Sequence, residues 1–204
     1  MIDRSELVWS GLLAGSQLAL RPFAESAAKG VGRMRVECEG RSSGPRLIAV
    51  GIGEVVVSGD PNAVLVAHAL GSCVALIAYD PLKRVGGMVH YLLPSSSLSR
   101  EDVRERPGLF ADTGIRLLFK KLAARNCLST GLVLKAAGGS GMYEDDNVGV
   151  GKRNLVALYE TLARRKLTLT ADALGGTDSR TVRLHVGTGA VHVRTPGGRT
   201  ELDL

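Results

Sequence analysis

Cys73-Val74-Ala75-Leu76-Ile77-Ala78-Tyr79-Asp80-Pro81-Leu82-Lys83-Arg84-Val85-Gly86-Gly87-Met88-Val89-His90-Tyr91-Leu92-Leu93 is the stretch whose pattern decides the fold. Two apolar, strand-like runs flank Asp80 to Arg84, a segment whose Asp, Pro and charged residues suit a reversal of the chain. The runs then pair as adjacent antiparallel strands, with Cys73 near the start of one and His90 near the end of the other. A thiol and an imidazole brought face to face are the minimum equipment for a nucleophile and its base. Gly71 and Ser72 strengthen that reading, because small residues let a substrate backbone approach and leave N–H groups free to receive an oxyanion. Gly86, Gly87 and Pro94 are read as marking irregular strand ends, where sites tend to gather.

Working outward, Leu47 to Val50 and Ala63 to His68 read as further strands separated by Gly, Pro, Asp and Asn. The period changes over Asp112 to Asn126, where Ala111, Ile115, Leu118, Phe119 and Leu122 recur at helical spacing. Asp112 falls near that helix's first turn and Lys120, Lys121 and Arg125 near its end, as the macrodipole favours. Leu132 to Ala136 reads as a buried strand. A second amphipathic helix follows, with Leu155, Leu158, Tyr159 and Leu162 on one stripe. Leu167 to Leu204 returns to strands, turning at Gly175-Gly176, Gly187-Thr188-Gly189 and Pro196-Gly197-Gly198. Residues 1–46 differ in texture and are expected to form an N-terminal extension, partly helical or flexible, ahead of a domain at 47–204.

Composition narrows the function. The 204 residues are 45% hydrophobic and 23% charged, enough for one substantial core. A net charge of +6 raises the question of nucleic acid, but 4% aromatics and the alternating signs of Arg100 to Arg106 argue against it. An acidic protein partner accounts for the surplus equally well. Cys38, Cys73 and Cys127 form no CxxC and no metal-ligand spacing with histidine, so neither disulfides nor a zinc site nor a cofactor is expected, and a reducing cytoplasm is. Leu7 to Gly15 is apolar, yet Asp3, Arg4 and Glu6 precede it where a signal sequence carries positive charge. No run reaches the ~20 apolar residues of a membrane span.

Three further strings resemble ligand-binding loops only in part. Gly149-Val150-Gly151-Lys152-Arg153-Asn154 lacks the earlier P-loop glycine and has Arg153 where Ser or Thr binds magnesium. Glu144-Asp145-Asp146-Asn147 misplaces the glycine and terminal glutamate of a calcium loop. Gly51-Ile52-Gly53-Glu54 lacks the third glycine of a dinucleotide fingerprint and reads as a turn.

In their order along the chain, a set of strings from Ile48 to Arg194 resembles the chemoreceptor glutamine deamidase family, CheD. They are Gly51-Ile52-Gly53-Glu54, Leu70 to Ala75, Asp80-Pro81, Gly86-Gly87-Met88 with His90 and Leu93-Pro94, Ala111-Asp112-Thr113, Gly138-Gly139-Ser140 with Met142, Gly151 with Arg153-Asn154, Gly175-Gly176 with Arg180, and Thr188-Gly189. The resemblance implies an α/β (α+β) fold, a layered sandwich of packed mixed β-sheets flanked by helices. It implies a cytoplasmic hydrolase of selected glutamine side-chain amides, and of glutamate methyl esters, on the cytoplasmic helices of chemotaxis receptors. It also implies binding to a CheC-type phosphatase, with no nucleic acid and no membrane insertion. On this analogy Cys73 is the nucleophile and His90 the general base, while Gly71 and Ser72 border the oxyanion hole. One departure matters: the family commonly carries a threonine six residues before the cysteine, orienting the histidine, and Ala67 stands there. Orientation of His90 then falls to a backbone carbonyl, a water or another residue, or the chain is a weakened member kept as a binding module for phosphatase or receptor. Neighbouring His68 points to the opposite strand face.

Overall fold

The computed structural model describes residues 44–98, 100–141, 149–196 and 201–203. The expected extension at 1–46, apart from its last three residues, and the acidic string Glu144 to Asn147 lie outside the described residues. Among these described residues, ten strands and three α-helices follow in the order β1 (Arg46–Ala49), β2 (Val55–Ser58), β3 (Ala63–Leu70), β4 (Val74–Asp80), β5 (Val85–Tyr91), α1 (Arg100–Glu105), α2 (Ala111–Ala123), β6 (Val133–Gly138), α3 (Val150–Ala163), β7 (Ala171–Leu174), β8 (Arg180–His185), β9 (Val191–Arg194) and β10 (Glu201–Asp203). The strands make two five-stranded mixed sheets, β1-β3-β8-β9-β10 and β2-β5-β4-β6-β7. In each, one parallel pair, β1 with β3 or β6 with β7, joins otherwise antiparallel ladders.

The expected hairpin is present. β4 and β5 pair from Val74 with Tyr91 to Asp80 with Val85. Asp80 caps the turn by accepting the N–H groups of Leu82 and Lys83, each at 3.0 Å. Every residue of both strands is buried, because β4 and β5 lie in a middle layer with apolar matter on each face. Ala75, Ile77 and Met88 meet Leu65, Leu184 and Val193 of the other sheet. Val74, Leu76 and Val89 meet Ile115, Leu118 and Leu158 of the helices. Each fully buried Leu, Ile or Val contributes about 1.5–3 kcal/mol relative to exposure, so the middle sheet is the stable base of the molecule.

Two expectations need correction. Gly86 and Gly87 lie within regular pairing, not at an irregular strand end. A Cβ at Gly86 would come within 2.8 Å of Leu184, and one at Gly87 within 2.7 Å of Leu118, so these glycines let the second sheet and α2 approach the hairpin from opposite faces. Tyr159 is 50% exposed, leaving Gly151, Asn154, Leu158 and Leu162 on the buried stripe of α3. Val55–Ser58 forms an edge strand that its short valine run did not announce, and Arg100–Glu105 is helical.

Candidate active site

β3 belongs to one sheet and β4 to the other, so Gly71-Ser72-Cys73 is the link that crosses between layers. The crossing begins with a bulge: register with β8 shifts between Ala67 and Leu70, and Ala69 takes a left-handed φ of 53°. His68 is exposed there while Ala67 is fully buried. All three carbonyls of the link are tied from outside. Gly71 O accepts Ser140 N at 2.9 Å, Cys73 O accepts Gly139 N at 2.8 Å, and Ser72 O accepts the Asn154 amide Nδ2 at 2.8 Å.

Glycine makes this cradle possible. Gly138 has φ 111°, and a Cβ there would fall 2.2 Å from Cys73 O. Gly151, at the start of α3, would put a Cβ 2.6 Å from Ser140 O. The string Gly149 to Lys152, unsuited to a P-loop, thus seats the first turn of α3 on the strand end that holds Cys73.

His90 stands opposite Ala75 and faces the space between the sheets, the same space into which Cys73 packs. Its backbone is fixed on the β2 side, where His90 N donates to Glu54 O at 3.1 Å and Gly53 N donates to His90 O at 2.7 Å. Its ring is fixed by Val50: Nδ1 lies 3.0 Å from the Val50 carbonyl oxygen. A carbonyl only accepts, so Nδ1 carries the proton and Nε2 keeps its lone pair. Nε2 is buried and has no hydrogen-bond partner among the described residues. Ala67 therefore does not leave the imidazole loose. Val50 N donates to Val66 O at 2.8 Å, so the orienting carbonyl stands beside the strand position that lacks the hydroxyl.

Burial sets the charge state of both groups. It pushes the Cys73 thiol above its ordinary value, opposed in part by the residue's own backbone N–H. It pushes His90 below its ordinary value, opposed by the Val50 hydrogen bond and by the Glu54 carboxylate. Both shifts favour a neutral thiol and a neutral imidazole over a preformed ion pair. Such a pair can act as nucleophile and general base once an electrophile arrives.

Two residues of the site were not anticipated in their roles. Val50 acts through its backbone, which leaves no side-chain signature in a sequence. Asn154 is fully buried on α3 and donates through Nδ2 to Ser72 O and Leu92 O, both at 2.8 Å, joining the segment before Cys73 to the segment after His90. Tyr91 Oη donates to Asn154 O at 3.1 Å and anchors the helix at that point. The one signal was a polar residue on the buried stripe of an amphipathic helix. Among the described residues no group of three or more His, Cys, Asp or Glu side chains is arranged to hold a metal ion.

Known proteins carry the same arrangement of sequence. A family model described as CheD chemotactic sensory transduction matches residues 92–195. A probable chemoreceptor glutamine deamidase CheD 2 of Anaeromyxobacter dehalogenans is 50% identical over 151 residues, covering 73% of this chain and 94% of that protein. A probable chemoreceptor glutamine deamidase CheD of Solibacter usitatus is 42% identical over 156 residues, covering 76% and 92%. The chemoreceptor glutamine deamidase CheD of Thermotoga maritima is 36% identical over 155 residues, covering 76% and 96%. With identity of this order over nearly the full length of each relative, the chain belongs to the CheD family.

Proposed function

We propose that this protein is a cysteine-dependent deamidase that converts selected glutamine side chains of chemoreceptors to glutamate in the cytoplasm. The observation that carries the proposal is the His90 ring, locked through Nδ1 on the Val50 carbonyl with Nε2 unpartnered in the space it shares with Cys73.

The chemistry follows from the neutral pair. As the Cys73 sulfur attacks the glutamine carbonyl carbon, Nε2 of His90 takes the thiol proton, and the carbonyl π electrons move to oxygen. The backbone N–H groups around Ser72 and Cys73 receive that oxyanion, since the carbonyls of Gly71, Ser72 and Cys73 are all engaged on the opposite side. Protonated His90 gives its proton to the departing nitrogen, releasing ammonia and leaving a thioester. Water deprotonated by Nε2 then cleaves the carbon–sulfur bond, giving glutamate and the free thiol. The same steps hydrolyse a glutamate methyl ester, with methanol in place of ammonia.

A chemoreceptor substrate and binding to a CheC-type phosphatase are part of this reading, the first supported by the names of the relatives and the second by family resemblance. No helix among the described residues is long and apolar enough to cross a membrane. The rival reading, an inactive binding module, drew its motive from Ala67, and the Val50 carbonyl weakens that motive. Incubating chemoreceptor cytoplasmic fragments with wild-type and Cys73→Ala protein and mapping the products by mass spectrometry tests the proposal. Glutamine-to-glutamate conversion is expected with wild type alone; equal amide retention in both overturns it.

A further inference from the structure

The positive charge of the chain is concentrated on its helices. α2 with its following turn to Asn126, and α3 with its following turn to Lys166, hold nine Lys or Arg residues against two acids, Asp112 and Glu160. That excess of seven is larger than the net +6 of the whole chain, so the rest of the molecule is slightly acidic. All nine basic side chains are exposed. Helix dipoles explain those at the C-terminal ends, such as Lys120 and Arg164. They do not explain Lys152 and Arg153, which lie in the first turn of α3 where the dipole opposes positive charge and no acid accompanies them.

Much of this charge lines one groove between the two helices. Adjoining hollows of about 490, 430 and 410 Å³ share Arg116, Arg164 and Arg165 along their walls. The acids of the groove are already engaged: Asp112 accepts the Ser96 N–H and hydroxyl, and Glu160 pairs with Arg164 at 3.6 Å. Arg116, Arg153 and Arg165 have no carboxylate partner among the described residues. Arg165 is held with its guanidinium 5.2 Å from the centre of the Phe119 ring, pre-positioned for an incoming anion. Val156, 52% exposed, and Tyr159 supply apolar contact on the same helix. The start of α3 lies at the link that carries Cys73, where the Asn154 amide holds Ser72 O. α3 spans ~21 Å, and at its start Lys152 and Ser72 line one hollow.

We propose that the α2–α3 face is a docking track for an acidic segment of the protein substrate, laid so that a glutamine beside that segment reaches Cys73. This rests on the deamidase reading and names what selects the substrate. Carboxylates along the segment meet unpaired guanidinium groups, and its apolar side chains meet Val156 and Tyr159. Each turnover replaces a neutral amide by a carboxylate, so the product is more acidic than the substrate and is held more tightly at low salt.

The test measures kcat and KM on a chemoreceptor cytoplasmic fragment and on a short glutamine peptide with neutral flanks, at low and high salt. A parallel anisotropy measurement follows the fragment binding to Cys73→Ala protein, with and without Arg116→Glu/Arg165→Glu. The charge reversal is expected to raise KM and Kd for the fragment by about tenfold or more while kcat and peptide turnover stay within about twofold, and high salt should erase the difference. If the reversed protein does not fold, Arg116→Gln/Arg153→Gln gives the same reading with a smaller shift. Equal fragment affinity for wild-type and reversed protein overturns the proposal. So does a reversal that leaves the fragment untouched and abolishes co-sedimentation with phosphatidylglycerol vesicles, which would assign the face to a membrane surface. Charge-dependent binding of the fragment without turnover by wild type would leave the docking track standing and remove the deamidase reading.

Discussion

His90 Nδ1 and the Val50 carbonyl oxygen, 3.0 Å apart, join β5 of one sheet to the residue that follows β1 of the other, and this bond fixes the imidazole ring. Because a backbone carbonyl supplies it, the bond survives any side chain at position 50 that preserves the local backbone. It also sets the tautomer, which leaves Nε2 as acceptor.

Restoring the hydroxyl is therefore expected to bring little. Ala67→Thr adds volume and a polar group at a fully buried site of the inter-sheet core. A loss of about 1–3 kcal/mol in stability is expected from overpacking, with kcat changed by less than about threefold. Thermal unfolding and steady-state kinetics on a receptor fragment check both; a gain of some thirtyfold would mean that Val50 does not suffice.

The charge states predict the pH behaviour. Burial holds His90 below its ordinary 6.5, so the acid limb of kcat/KM should have its midpoint below pH 6.5. Burial holds Cys73 above its ordinary 9.0, so iodoacetamide should alkylate it more slowly at pH 7 than it alkylates an exposed thiol. Stability follows the same signs. The depressed His90 contributes stability that is present above pH 6.5 and is lost as pH falls, whereas the raised Cys73 contributes stability that is present below pH 9.0 and is lost as pH rises through the folded value. Rapid, pH-independent alkylation between pH 6 and 7 would reveal an ion pair and contradict this.

Asn154 is expected to govern rate through position. Asn154→Leu keeps the shape but leaves the carbonyls of Ser72 and Leu92 without donors, at a cost of about 1–3 kcal/mol each. Release of the two segments should lower kcat about 100-fold with KM changed far less. Asn154→Asp turns an acceptor toward those carbonyls and should recover part of its activity as pH falls and the carboxyl protonates. A pH profile of kcat for the three proteins separates this from a loss of packing alone.

Two glycine substitutions should divide stability from rate. Gly87→Ala drives a Cβ toward Leu118 and Val57 and should cost about 1–3 kcal/mol in stability, with kcat unchanged in the folded fraction. Gly138→Ala meets Cys73 O in a backbone at φ 111° and should reduce kcat sharply at any temperature where the protein is folded. Equal kinetic effects from both would argue against the cradle around Cys73.

The hairpin and the two main helices were legible in the sequence because their causes are local. Apolar runs bounded by Asp80-Pro81 make strands, and recurrence at Ile115, Leu118 and Leu122 makes a helix face, whatever the rest of the chain does. The glycines were visible but their purpose was not. Gly86 and Gly87 serve the close approach of Leu184 and Leu118, residues about a hundred and about thirty positions away in the chain, and only the packing of three layers puts them there. The Val50 carbonyl and the two hydrogen bonds from Asn154 were hidden for a related reason. Every residue but proline has the same backbone N–H and C=O, so which carbonyl meets His90 and which two meet Asn154 is settled by how strands of separate sheets and a helix converge, and by nothing written at any one position.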